Sequence, residues 1–284
     1  MNISARLSTS DRSIILLAPS YRRARQTFRR TYSSQFLYAR FKSEMQRLRG
    51  SIYLNDGAIT SSDLTPDGRH VMPHDTGSWH LLSIDSTGSV VGCARYLEYP
   101  QGATFDDLRI RHSALASCPQ WGPALRGAVE KELATASRLG FSYCEIGGWA
   151  MAPEVRGTGE CLRSVLATYA WSRLIGGSMG ISTATERNGS AAILQRLGGR
   201  SLEWSGSRIP PYFDSRYGCQ MHMLRFDSRF PNPRYEEAIQ ELLNTLADVP
   251  VICGDETVQQ VPRREFKYTP EPVRPHLAAL ATAV

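Results

Sequence analysis

Glu145-Ile146-Gly147-Gly148-Trp149-Ala150-Met151-Ala152-Pro153-Glu154-Val155-Arg156-Gly157-Thr158-Gly159 runs straight into a helical pattern carried by Leu162, Val165, Leu166, Tyr169, Ala170 and Leu174. A strand, a glycine turn and a helix in that order point unpaired backbone N–H groups and the positive helix end at an anion. Glycines at 157 and 159 let the backbone approach a phosphate closely, and Arg156 can add charge-assisted contacts. A plain tight turn would use the same residues, so the surrounding order of elements has to carry the rest.

Upstream, Trp79 to Ile84 and Val90 to Leu97 read as two strands around the turn residues Asp85-Ser86-Thr87-Gly88. Leu125, Val129, Leu133 and Ala136 predict a helix from about Pro123 to Leu139. Strands follow at Tyr143 to Met151 and Met179 to Ala184, then a short helix from Ser190 to Leu197 that stops on Gly198-Gly199. A last strand runs from Cys219 to Phe226, and a helix from about Tyr235 to Leu246 precedes a proline-rich tail. This order predicts an α+β domain with mixed strand pairing.

The chain of 284 residues is 42% hydrophobic, enough for a sizeable core. It has no apolar run long enough to span a membrane, and Ile14 to Ala18 is too short for a signal peptide, so a cytoplasmic protein is expected. Six cysteines without a Cys-x-x-Cys pair point away from zinc and from disulfides. His70 and His74 are separated by Pro73, and no metal site is expected. Residues 1–20 read as a flexible arm, 21–230 as the main domain, and 231–284 as a helix with its tail. The formal charge of +6 is uneven: Tyr21 to Gly50 holds Arg22, Arg23, Arg25, Arg29, Arg30, Arg40, Lys42, Arg47 and Arg49 against Glu44 alone. Apolar residues recur there at helical spacing, so 21–50 reads as a basic helix, either simply solvated or facing an acidic partner. No aromatic-basic motif for nucleic acid accompanies it, and 51–77 reads as an irregular loop.

Arg156, Gly157, Thr158, Gly159, Glu160 and Cys161 resemble the acyl-CoA-binding signature of the GNAT acyltransferases. Asn188, Ala191, Leu197 and Gly198 fall where that superfamily places its second motif. The resemblance covers about residues 75–226 and implies a GNAT-like mixed, mostly antiparallel central sheet flanked by helices. Asp67, Asp75, Ser78, His80, Gly92, Arg95 and Glu145 look most like the acyl-homoserine-lactone synthases and long-chain N-acyl amino acid synthases. Gly147-Gly148 stands where the lactone synthases carry a Ser-Arg pair, and Leu194 stands where many GNAT enzymes carry a tyrosine acid.

The resemblance implies acyl transfer from acyl-CoA, or from the phosphopantetheine of an acyl carrier protein docked on helix 21–50, to a small-molecule amine such as an amino acid. Glu145 is the candidate base, sharing a strand face with Gly147 and Trp149; its other reading is a structural ion pair. Tyr217, with Tyr212 near it, is the candidate acid. Ala150, Met151, Ala152, Arg156, Gly157, Thr158, Gly159, Glu160 and Asn188 would hold the donor, with amides at 150–152 as oxyanion donors. Arg95 and Trp149 would meet the acceptor, Arg95 through a carboxylate. A non-catalytic module that binds the same donors is the competing reading.

Overall fold

The computed structural model describes residues 12–20 and 27–254. Their elements are β1 (Ser13–Leu17), β2 (Thr31–Ser33), α1 (Gln35–Asn55), β3 (Trp79–Ile84), β4 (Val90–Tyr99), α2 (Gly122–Arg138), β5 (Ser142–Met151) and α3 (Gly159–Leu174). They continue with β6 (Ser178–Thr185), α4 (Ser190–Leu197), β7 (Arg200–Ser201), β8 (Glu203–Trp204), β9 (Ser207–Arg208), β10 (Tyr212–Asp214), β11 (Cys219–Asp227), α5 (Glu236–Leu246) and β12 (Val251–Cys253). One sheet orders them β10-β11-β6-β5-β4-β3-β1-β12-β2, with β7 also on β11. The centre is antiparallel except where β5 meets β6, and β12 runs parallel to both β1 and β2. This is the mixed, mostly antiparallel sheet that the sequence implies.

Side-chain alternation splits the core into two layers. Trp79, Leu81 and Tyr96 pack with Leu166, Tyr169 and Trp171 of α3 and with Ile239 and Leu242 of α5. On the opposite face, Ile15, Leu17, Leu82 and Cys93 receive Tyr38, Phe41, Met45 and Ile52 of α1. Tyr143 and Met179 receive Leu125, Val129 and Leu133 of α2 on that face as well.

Two expectations for the N-terminal region are corrected. Residues 13–17 are a strand paired with β3 and β12, because Ile15, Leu16 and Leu17 form an apolar run buried on both sides; only residues 1–11 of the expected arm lie outside the described ones. The basic helix starts later and ends later than 21–50. Ser34 caps α1 by accepting from Leu37 N–H at 3.3 Å, and the helix runs on to Asn55. Gly50 is a contact point for the 64–70 loop, where an added Cβ would stand 2.6 Å from the Gly68 carbonyl oxygen, and not a helix end.

The basic residues are also differently used. Arg29 pairs with Asp248, Arg40 with Glu44, Arg47 with Asp67 and Arg49 with Asp75, while Lys42 sits over the Tyr38 ring. The Arg30 side chain meets Tyr32 and the Asp248 carbonyl. Every described cation of this stretch has a partner within the chain, so the basic face is charge-compensated there. Arg22, Arg23 and Arg25 lie outside the described residues.

Candidate active site

β4 and β5 pair as Arg95↔Gly147 and then as Cys93↔Ala150. Two residues of β5, Gly148 and Trp149, therefore oppose the single residue Ala94. This is a bulge, and Gly148 takes φ +63°, a conformation glycine adopts without a Cβ clash. The bulge reverses the side-chain phase. Glu145 and Gly147 stay on the face of Arg95 and His80, whereas Trp149 turns to the other face and donates from Nε1 to Ser164 Oγ of α3 at 3.0 Å. The expected sharing of one face by Glu145, Gly147 and Trp149 is thus corrected, and Trp149 leaves the acceptor group.

The parallel pairing of β5 with β6 ends at Glu145↔Ile181, although both strands continue. From there the two diverge. The Ala152 amide is used on the β4 side, donating to the Val91 carbonyl at 2.9 Å, and the Ala150 amide faces the Cys93 thiol. Met151 points the other way: its carbonyl accepts from Arg156 Nε at 3.2 Å, and a strand residue's own N–H and C=O leave on one side. Of the three expected oxyanion donors, only Met151 directs its amide into the opening.

Beyond it, Pro153–Val155 form a 3₁₀ turn and Thr158 caps α3 by accepting from the Glu160 amide at 3.2 Å. The amides of Arg156 and Thr158 close on the carbonyls of Pro153 and Val155, the Gly157 amide faces the Cys161 thiol, and the Gly159 amide opens the first turn of α3. Gly157 has φ +77° and open space where a Cβ would go. Glu160, expected at the donor, is buried instead: its Oε1 accepts from Ser83 at 2.8 Å and pairs with Arg163. Asn188 is exposed on the turn before α4. Gly157→Val would strain the backbone by about 1–3 kcal/mol and place a side chain over the α3 N-terminus. CoA affinity, measured by calorimetry on the folded variant, is expected to fall at least about tenfold.

Arg95 is 3% exposed, and its guanidinium has no carboxylate within ion-pair distance among the described residues. Its one hydrogen bond runs to Met72 Sδ at 3.4 Å, and its Nε has no partner. Burial, then repulsion from Arg109 and Arg49, pushes its pKa down to about 10. Gly147 lies against it, 3.4 Å from Nη2 to where a Cβ would stand.

Glu145 is also buried, with Oε1 accepting from the Ile110 amide at 2.9 Å. Burial raises its pKa above the ordinary carboxylate value, against the Ile110 amide, Arg109, Arg95 and Tyr99, which all favour the anion. Glu145 thus ties the 109–112 turn to the sheet through the Ile110 amide, and the structural ion pair of its other reading is not formed among the described residues.

Behind Arg95 lies a buried ion pair. Asp75 accepts from Arg49 Nη1 and Nη2 at 2.9 and 2.6 Å, from Gln46 Nε2 at 3.0 Å and from the Met72 amide at 3.0 Å. His80 Nε2 lies 2.8 Å from the Asp75 carbonyl and so carries the ring proton; burial pushes its pKa down to about 4, leaving it neutral. Asp67, the other acid of this loop, instead pairs with Arg47 and Arg69 on the surface.

The far end of α1 reaches the opening between β5 and β6. Asp56 pairs with Arg156 at 3.6 Å, and its carbonyl accepts from Arg187 at 2.9 Å. Arg187 also donates to the carbonyls of Tyr217 and Gly218. The Tyr217 main chain is thereby held beside Asp56, and Tyr53 of α1 lies within electrostatic reach of Tyr217. Leu194 packs in the core with Ala191 and Leu197. Arg49, Tyr53, Arg109 and Arg187 join the site without a motif in the sequence to announce them. A cavity of about 500 Å³ lined by Phe105, Arg111, His112 and Arg126 shares no residue with this site.

No family model and no curated protein matches the sequence. Among solved structures, the chain is similar to BjaI, a CoA-dependent acyl-homoserine lactone synthase solved with SAM and isopentyl-CoA. The TM-score is 0.53 with 14% identity, over 86% of this chain and 95% of that one. The same enzyme with MTA is matched at 0.52 over the same shares. FeeM, an N-acyl amino acid synthase from uncultured soil microbes, is matched at TM-score 0.41 and 12% identity over 65% of this chain and 83% of that one. The fold is therefore that of the GNAT-like acyltransferases.

Proposed function

We propose that the protein transfers an acyl group from a pantetheine thioester to the amine of an acceptor that carries a carboxylate, an amino acid or a close relative. The observation that carries this reading is the buried Arg95 guanidinium, on the same sheet face as Glu145 and without an ion-pair partner among the described residues. A desolvated cation of this kind is costly unless a ligand supplies its counter-charge. A carboxylate on Arg95 would set the acceptor's amine toward Glu145, which lies on the same face of the sheet.

In this reading the donor's phosphates take the first turn of α3 from the Gly159 amide on, its pantetheine enters between β5 and β6, and its thioester oxygen takes the Met151 amide. Glu145 receives the proton of the attacking amine, directly or through a water. Gly148 belongs to the same design, because the bulge holds it at φ +63°, where a side chain is strained, and its glycine in place of the lactone synthases' Ser-Arg pair supports a plain N-acyl product over a lactone. Acyl-CoA is the better-supported donor, since the described cations of α1 are all engaged.

The test uses Arg95→Leu. Loss of a buried charge-assisted contact should lower kcat/KM toward carboxylated acceptors by about thirtyfold or more, while leaving CoA binding unchanged. Acceptors whose carboxylate is converted to an amide should be served equally by both forms. Equal loss on both kinds of acceptor would remove the carboxylate from the reading; donor binding without turnover on any amine would favour the non-catalytic module.

A further inference from the structure

We infer that Tyr53 supplies the hydrogen bond that stabilises the departing sulfur of the thioester. The inference rests on the acyl-transfer reading above and assigns the role left empty by Leu194.

Two anchors fix where Tyr53 lies. One turn earlier on the same helical face, Arg49 stands at the bulge, 3.6 Å from where a Gly148 Cβ would be. Three residues later, Asp56 is held by Arg156 and Arg187, the loops that leave the two diverging strands. Tyr53 falls between these anchors and packs on the cluster that includes Cys93 and Ala150, next to Met151 on β5. Its ring lies 5.7 Å from that of His70, which covers one side. The hydroxyl lies within electrostatic reach of Tyr217, Arg49, Cys93 and Arg95, and has no hydrogen-bond partner among the described residues. Tyr217 approaches from the loop before β11, whereas Tyr53 is carried by a helix of 21 residues clamped at both anchors, the more rigid platform for a donor.

The chemistry balances without any further reagent. The amine nitrogen attacks the carbonyl carbon, the C–N bond forms, and the nitrogen's proton passes to Glu145. The C–S bond then breaks with its electron pair going to sulfur, and the Tyr53 O–H donates to that sulfur. Burial raises the Tyr53 pKa above the ordinary tyrosine value, so the proton stays on oxygen and the role is hydrogen bonding. The freed thiolate takes its proton from water as Glu145 returns one to water.

The experiment compares Tyr53→Phe and Tyr217→Phe with the parent protein, following thiol release from decanoyl-CoA with a mixture of the proteinogenic amino acids as acceptors. A second donor, S-(4-nitrophenyl) thiodecanoate, has a leaving thiolate that needs little help. Tyr53→Phe should lose at least about tenfold in kcat with decanoyl-CoA and far less with the aryl thioester. Equal loss on both donors, no loss at all, or this pattern in Tyr217→Phe in its place would overturn the inference and leave the acyl-transfer reading standing. A parent protein that binds decanoyl-CoA yet releases no thiol with any acceptor would overturn that reading, and the role of Tyr53 with it.

Discussion

Asp75→Asn is expected to destabilise the protein by about 3–5 kcal/mol, because it leaves the Arg49 guanidinium, fully buried, without its counter-charge. For a chain of this size that corresponds to a fall of roughly 10 °C in Tm, measured by calorimetry. Burial alone would raise the Asp75 pKa, but the paired Arg49 overcomes it and holds the carboxyl well below the usual range. A depressed folded-state pKa gives stability that is present above the ordinary aspartate value near 4 and lost as pH falls below it. The gap between parent and variant should therefore be widest near neutrality and narrow in acid. Arg49→Met combined with Asp75→Leu should cost less than Asp75→Asn alone, since no buried charge is then left unpaired. A double variant as unstable as the single one would show that the loss comes from the Gln46 and Met72 contacts and not from the ion pair.

The parts of this molecule legible in the sequence are those fixed by local pattern. The apolar periodicity of Leu125, Val129 and Leu133 places α2 within a residue of its observed ends, and Gly198 stops α4 where expected. The strand-to-loop-to-helix unit around Gly157 is local too, and so is the helix N-terminus it leads into. Features set by long-range contact were not readable. Gly50 looks like a terminator until the 64–70 loop is seen to press on it, and Ile14 to Leu17 looks like a stray apolar run until β3 and β12 flank it. The bulge at Gly148 shifts the phase of the rest of β5, which is why Trp149 moved away from its expected role, while Glu160 was drawn inward by Ser83 of a distant strand. Arg109 and Tyr53 carry no motif because segments far apart in the chain bring them to Glu145 and to the opening.

Glu145→Gln tests whether the buried carboxylate is base, brace or both. The amide keeps an oxygen to accept the Ile110 N–H, so the 109–112 turn should remain in place. What is lost is basicity. If Glu145 takes the amine's proton, single-turnover acyl transfer at neutral pH should fall by about a hundred-fold or more while CoA affinity holds. Rescue should appear at high pH, as the amine sheds its proton without help. Stability gives an independent reading. Because burial raises the folded-state pKa of Glu145, its contribution is fully present below the ordinary glutamate value and is lost as pH rises through the raised one. Glutamine does not ionise, so Glu145→Gln should gain stability relative to the parent across that window and keep the gain at neutrality. A purely structural carboxylate, held by the Ile110 amide and the nearby arginines, would show the reverse: unchanged turnover and a less stable variant above that window.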